Sequence, residues 1–337
     1  MKKSLLVLVL CVCAMGFLFA NGAAESGTPS SAKPLTLKIS ISETTTDIKA
    51  GVLKDMIKEI EEKSNGSMKF ELYCSNELGS LGDVVEQTKI GANIISGTSG
   101  DFYANYGAPD ILATSLPYVL STMDQVDKLD GSDLFKKWSD AIQKQSGLKL
   151  LCMNWSSSPR DVISSKPIKS VADFKGLKIR VPGLSMDAFF TNLGASTMTM
   201  AFSDVYTSMQ QGMVDAAEAG LSGLYGFSIQ EVGKNVYQSE HSLAPAVWSM
   251  SGKIWDSMSA ENQKILVDAF RKYGRIYSEK GFASQDSYIE KMKAAGVTFV
   301  KPSDADKQAM QKAAFATFDA FPELSKDLAD QISAIIK

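Results

Sequence analysis

The chain has 337 residues, a formal net charge of -3, one histidine and four cysteines. Charges of both signs are interspersed, with no basic stripe for nucleic acid and no polybasic face for anionic lipid. A single histidine excludes a histidine-rich metal site, and no metal or cofactor is expected.

Lys2 and Lys3 precede an apolar stretch, Leu5 to Ala20, and small residues at Asn21-Gly-Ala-Ala24. That order predicts a secretory signal over residues 1–24, with cleavage open between Ala20, Ala23 and Ala24; an uncleaved anchor is the competing reading. Cys11 and Cys13 leave a lipid anchor open, although neither follows a small residue. Residues 25–33, rich in Ser, Gly, Pro and Ala, predict a flexible tether. The remaining chain, about 310 residues, exceeds one compact core and predicts two domains.

Leu35 to Ile41 alternates apolar and polar residues and predicts a strand. Apolar positions at Ile48, Val52, Met56, Ile57 and Ile60 then share one helical face, ended at Asn65-Gly66. A second strand (68–73), a helix (81–90) and a third strand (92–96) follow; this βαβαβ opening predicts a parallel sheet. Cys74 and Cys152 lie in strand-like apolar runs and read as buried thiols, with a disulfide as the alternative. Helices over 124–129 and 133–145 lead to a strand, Leu148 to Trp155, crossing to a second α/β unit that opens at Ser165-Lys-Pro-Ile168. That unit holds a strand (177–181) and helices over 185–193 and 203–211. Ser259 predicts the N-cap of a long helix reaching as far as Met292, with Gly274 and Gly281 as weak points. Such a helix exceeds one lobe and is expected to run across both. The lobes are expected over 34–157 plus about 246–283, and 158–245 plus about 284–337. Open parallel sheets bind ligands beyond the carboxyl ends of their strands, so two facing lobes imply a cleft that closes by hinge motion.

The chain carries no G-x-G-x-x-G, Walker loop, G-x-S-x-G elbow or C-x-x-C, which argues against an enzyme. Arg180 ends an apolar strand just before Pro182-Gly183, where a planar guanidinium can take a carboxylate in two parallel hydrogen bonds. Arg160 follows Ser156-Ser-Ser-Pro159 at the entry to the second lobe. A structural ion pair, or a side chain that snorkels to solvent, is the competing role for both arginines. Trp155 and Trp248 lie near the lobe crossings and read as hinge packing, with cleft lining as the alternative.

Asn76-Glu-Leu-Gly79, Leu116-Pro-Tyr118, Pro167-Ile168 with Ala172-Asp-Phe-Lys-Gly-Leu-Lys-Ile-Arg180, Met200-Ala-Phe-Ser-Asp-Val-Tyr206 and Gln210-Gln-Gly-Met-Val-Asp215 occur in register. Together they resemble the periplasmic substrate-binding subunits of tripartite ATP-independent periplasmic (TRAP) transporters, the DctP-like group. The resemblance covers nearly the whole mature chain. It implies an α/β, two-lobed periplasmic binding protein fold with an interlobe cleft. It also implies capture of a small organic acid in the periplasm and delivery to the small and large membrane permease components; a monomer is expected, with the oligomeric state left open. By the same resemblance Arg180 clamps the ligand carboxylate, Arg160 is a second cationic contact and Phe202 closes over the ligand. Many relatives carry Gly-x-Glu-Asn after the Val-Asp pair, and the asparagine bonds the ligand. Here Ala219 stands at that position, implying an apolar or water-served contact and a less hydroxylated ligand. Glu43, Thr44 and Ser99 sit where relatives place first-lobe contacts, and each reads equally well as a turn or cap residue. Two other readings stay open: a receptor reporting to a sensor kinase, and a secreted lyase or isomerase using Glu218 or Asp215 as base.

Overall fold

The computed structural model describes residues 33–156 and 158–337. The expected signal and all of the tether except Lys33 lie outside the described residues. The chain runs β1 (Leu35–Ser40), α1 (Ile48–Lys63), β2 (Met68–Tyr73), α2 (Leu81–Lys89), β3 (Ile94–Thr98), α3 (Met123–Asp130), α4 (Asp133–Ser146) and β4 (Leu148–Trp155). It continues through β5 (Arg160–Ser164), β6 (Lys178–Val181), α5 (Leu184–Asn192), β7 (Ser196–Thr199), α6 (Val205–Gln210), β8 (Ala216–Gly220), α7 (Leu221–Gly226), α8 (Ile229–Val232) and β9 (Asn235–Tyr237). The last elements are β10 (Ala246–Ser251), α9 (Gly252–Ser257), α10 (Ala260–Ala283), α11 (Gln285–Ala294), β11 (Thr298–Val300), α12 (Asp304–Phe315) and α13 (Leu328–Ile336).

Two sheets divide these strands. The first has the order β2-β1-β3-β10-β4, and the second β11-β9-β5-β8-β6-β7. β1, β2 and β3 are parallel, as the βαβαβ opening predicts, while β10 runs antiparallel between β3 and β4. In the second sheet β6 is parallel to β7 and β8, and β5 is antiparallel to β8 and β9. The chain changes sheet between β4 and β5, between β9 and β10, and between β10 and β11.

Ser259 caps α10 as predicted, its hydroxyl accepting the Asn262 amide at 3.2 Å. The long helical stretch does extend across both lobes, but it breaks at Ser284: α10 packs on α1 and β4, and α11 on α7. Gly274, expected as a weak point, is a point of close approach instead. A Cβ there would lie 2.3 Å from Asn154 Oδ1 and 2.7 Å from the Trp155 ring. Removing the side chain lets α10 press against the end of β4. Trp155 is buried there against Trp248, Phe270 and Tyr277, at centroid distances of 5.1, 6.2 and 5.4 Å, and its indole N–H donates to the Phe270 carbonyl at 2.9 Å. Both tryptophans therefore pack the lobe crossing. α13 returns to pack on α3, with Leu328 and Ile332 in one apolar cluster with Val126 and Leu129. Cys74 and Cys152 are buried free thiols.

Candidate functional site

β5, β6 and β8 lie side by side in the second sheet, pairing Arg160 with Gly220, Asp161 with Ala219 and Arg180 with Ala217. Arg160 and Arg180 thus rise from neighbouring strands, yet their environments differ in kind.

Arg160 is neutralised. Its Nε and Nη2 donate to the two carboxylate oxygens of Glu218 at 2.5 and 2.6 Å, and Nη2 also reaches the Glu218 carbonyl at 3.1 Å. His241 Nε2 lies 3.2 Å from Glu218 Oε2, and Ser239 Oγ lies 2.8 Å from His241 Nδ1. Burial pushes the Glu218 carboxyl up, but the Arg160 charge and the hydrogen bonds from Arg160 and His241 prevail and hold it at about 2. Burial chiefly depresses the His241 pKa, which leaves the ring neutral, stacked on Phe189 with centroids 5.8 Å apart. The lone histidine is a structural partner of Glu218.

Arg180 is not neutralised. It is 4 % exposed, and its Nε and Nη2 both donate to the Met200 carbonyl, at 2.9 and 2.7 Å. Its guanidinium carbon lies 5.2 Å from the centre of the Phe202 ring, close enough for a cation–π contact. Among the described residues no carboxylate lies within ion-pair distance of it, and Nη1 has no hydrogen-bond partner. Burial is the main influence pulling its pKa down to about 10; Glu218 opposes, Arg160 adds to the depression, and Asp204 opposes. A guanidinium remains charged at that value at neutral pH, so the second lobe holds a buried cation whose balance is incomplete.

Phe202 packs edge-to-face on Phe227 at 5.0 Å. Ala219 is 6 % exposed and joins the apolar cluster against which Phe202 and Phe227 pack. The wall beside Arg180 is therefore apolar where an asparagine would have offered an amide. The first-lobe candidates lie at the carboxyl ends of β1 and β3. Glu43 pairs with Lys49 and accepts from Ser42 Oγ at 3.2 Å; Lys49 also sits 5.4 Å from the Tyr277 ring centre. Ser99 opens a 3-10 turn, Gly100–Tyr106, without a side-chain cap bond. The structure thus gathers Arg180, Phe202 and Ala219 on one lobe beside the Arg160–Glu218 pair, and binds Glu43 into a local pair on the other. Asp215 pairs with Lys166 at 2.9 Å, which leaves it, like Glu218, a poor proton acceptor.

Neither Met200 nor Phe227 is legible as a site neighbour: Phe227 acts through a tertiary contact, and Met200 through its carbonyl, which carries no residue-type signal. An apolar pocket of about 190 Å³, lined by residues including Tyr118, Phe315, Phe318 and Ile332, has no charged lining group and does not suit an anion.

Two α/β lobes linked by crossing strands, with a buried, unneutralised cation on one of them, define the class of hinged solute-binding proteins. Residues 39–323 match the bacterial extracellular solute-binding protein family 7, DctP, and the chain belongs to that family. It is a solute-binding protein of the TRAP transporter type. Among the relatives, the sialic acid-binding periplasmic protein SiaP of Vibrio cholerae is 27 % identical over 283 residues, covering 82 % of this chain and 86 % of that protein. The 2,3-diketo-L-gulonate-binding periplasmic protein YiaO of Escherichia coli is 27 % identical over 302 residues, covering 88 % and 89 %. A TRAP periplasmic solute-binding protein from Ochrobactrum anthropi with bound L-fuconate superposes with a TM-score of 0.84 at 27 % identity, covering 90 % of this chain and all of that one. One from Fusobacterium nucleatum with bound sn-glycerol-3-phosphate gives 0.81 at 27 % identity, covering 90 % and 97 %.

Proposed function

We propose that this protein captures a small organic acid between its lobes outside the cytoplasmic membrane and delivers it to the two membrane permease subunits of a TRAP transporter. The buried Arg180 guanidinium, short of a carboxylate partner, carries the reading. A ligand carboxylate at its remaining N–H groups supplies a charge-assisted pair and offsets the cost of burying the cation. Phe202 covers the guanidinium face, and Arg160 contributes Nη1 while Glu218 holds its other nitrogens. Glu43 and Ser99 line the first-lobe side. Ala219 favours an acid with an apolar group, or few hydroxyls, on that wall. Fuconate and sialic acid in relatives support the carboxylate; glycerol phosphate in another makes a phosphate ester the natural competitor.

Export rests on residues 1–24 read as a secretory signal, and a periplasmic location follows from it. No described helix is long and apolar enough to cross a membrane.

Solute released from the purified protein by mild denaturation, identified by mass spectrometry and titrated back calorimetrically, tests the reading. A carboxylic acid recovered unchanged and rebound in equimolar amount is expected. A neutral sugar, a phosphate ester or a chemically altered acid would contradict it.

A further inference from the structure

α5 starts at Leu184 in the second lobe, and its N-cap residue, Gly183, has no side chain to satisfy the first amides of the helix. The missing acceptor comes from the first lobe. Asp101, in the turn after β3, accepts the Ser185 amide through Oδ2 at 3.2 Å and the Ser185 hydroxyl through the same oxygen at 2.7 Å. Ser185 is the second helical residue, whose amide an N-cap side chain ordinarily takes. The positive end of the helix dipole favours a carboxylate there. Gly183 makes room for it: a Cβ at that position would lie 3.1 Å from Asp101 Oδ2. Ser185 is 1 % exposed, and the other Asp101 oxygen is buried without a partner, so the contact is shielded from water. Ala188, one turn along α5, packs against the apolar cluster of the first lobe beside this bond.

We infer that Asp101 is a closure latch: a helix cap supplied in trans by one lobe to the other, made only when the lobes approach and broken when they part. Opening then costs α5 its cap, so the equilibrium between open and closed forms is biased by a contact made between protein groups. Asp101 is a positioning residue, and Gly183 is the vacancy that admits it.

The test is single-molecule energy transfer between dyes on Lys58→Cys in α1 and Lys175→Cys in the second lobe, with Cys74 and Cys152 buried and slow to label. It uses the full mature chain as purified, and again after unfolding and refolding to strip retained solute. Asp101→Ala is expected to lower the ratio of closed to open molecules about fivefold, the scale of losing an N-cap. Asp101→Asn, whose amide oxygen still accepts, retains most of the ratio. Gly183→Ser gives α5 a cap of its own, crowds Oδ2 and is expected to lower the ratio without altering Asp101. Unchanged ratios in both Asp101→Ala and Gly183→Ser, with unchanged circular dichroism, would overturn the inference. The readout is lobe separation, so its failure is distinct from failure of the carboxylate reading, which is decided by solute identity.

Discussion

Arg160 and Arg180 stand on neighbouring strands of one sheet, and the comparison between them separates two uses of a buried cation. Arg160 is held by a bidentate carboxylate, Glu218, which a neutral histidine also contacts. Arg180 has only a carbonyl and an aromatic face. The first arrangement is complete without a ligand and gives the lobe a fixed frame. The second lacks a carboxylate within the protein, and under the proposed function a ligand supplies it. A buried arginine therefore signals a binding site through what it lacks, and burial alone would have treated the two alike.

Breaking the complete side should cost most. Glu218→Ala leaves Arg160 without its carboxylate and should lower folding stability by about 3–5 kcal/mol, read from urea denaturation. A loss under about 1 kcal/mol would mean that solvent already compensates Arg160.

The residue after Arg160 gives a pH-dependent contrast. Asp161 is fully buried; its Oδ1 accepts the Glu240 amide at 3.1 Å while Oδ2 has no partner. Burial pushes its pKa up to about 8, against that hydrogen bond and with help from the Glu240 charge. The folded chain thus binds a proton that the unfolded chain releases near pH 4, so this contribution is full below that value and is lost as pH rises toward about 8. Folding stability of wild type should fall over that interval by roughly 5 kcal/mol more than that of Asp161→Asn, read from urea denaturation at several pH values. Parallel profiles would show Asp161 ionised throughout.

The smallest effect sharpens the incomplete side. Phe202→Leu keeps an apolar wall but removes the ring face over Arg180. Affinity for the recovered acid should drop about fivefold, near 1 kcal/mol, with no change in melting temperature. An unaltered affinity would limit the ring to packing on Phe227.

Much of the frame was legible because it is written in local pattern. The alternation of Leu35 to Ile41, the helical face from Ile48 to Ile60 and the Ser259 cap all appear where periodicity and capping place them. β8 was not read as a strand: Ala216-Ala-Glu-Ala-Gly220 has low strand propensity, and burial on both faces decides its conformation. β9 and β11, at three residues each, are too short to show a period. Of the site, Arg180 and Phe202 stood out through the family motifs and are in contact. The neutralisation of Arg160 required Glu218, 58 residues away, and the Asp101–Ser185 bond spans 84, separations at which residue type carries no pairing signal.

Calorimetric titration of Arg180→Ala with the acid recovered from wild-type protein tests the central claim most directly. The account predicts at least about a hundredfold loss of affinity, the scale of removing one partner of a buried charge pair, with folding stability equal to or above wild type because an unneutralised cation has been removed. Wild-type affinity in a folded Arg180→Ala protein would contradict it.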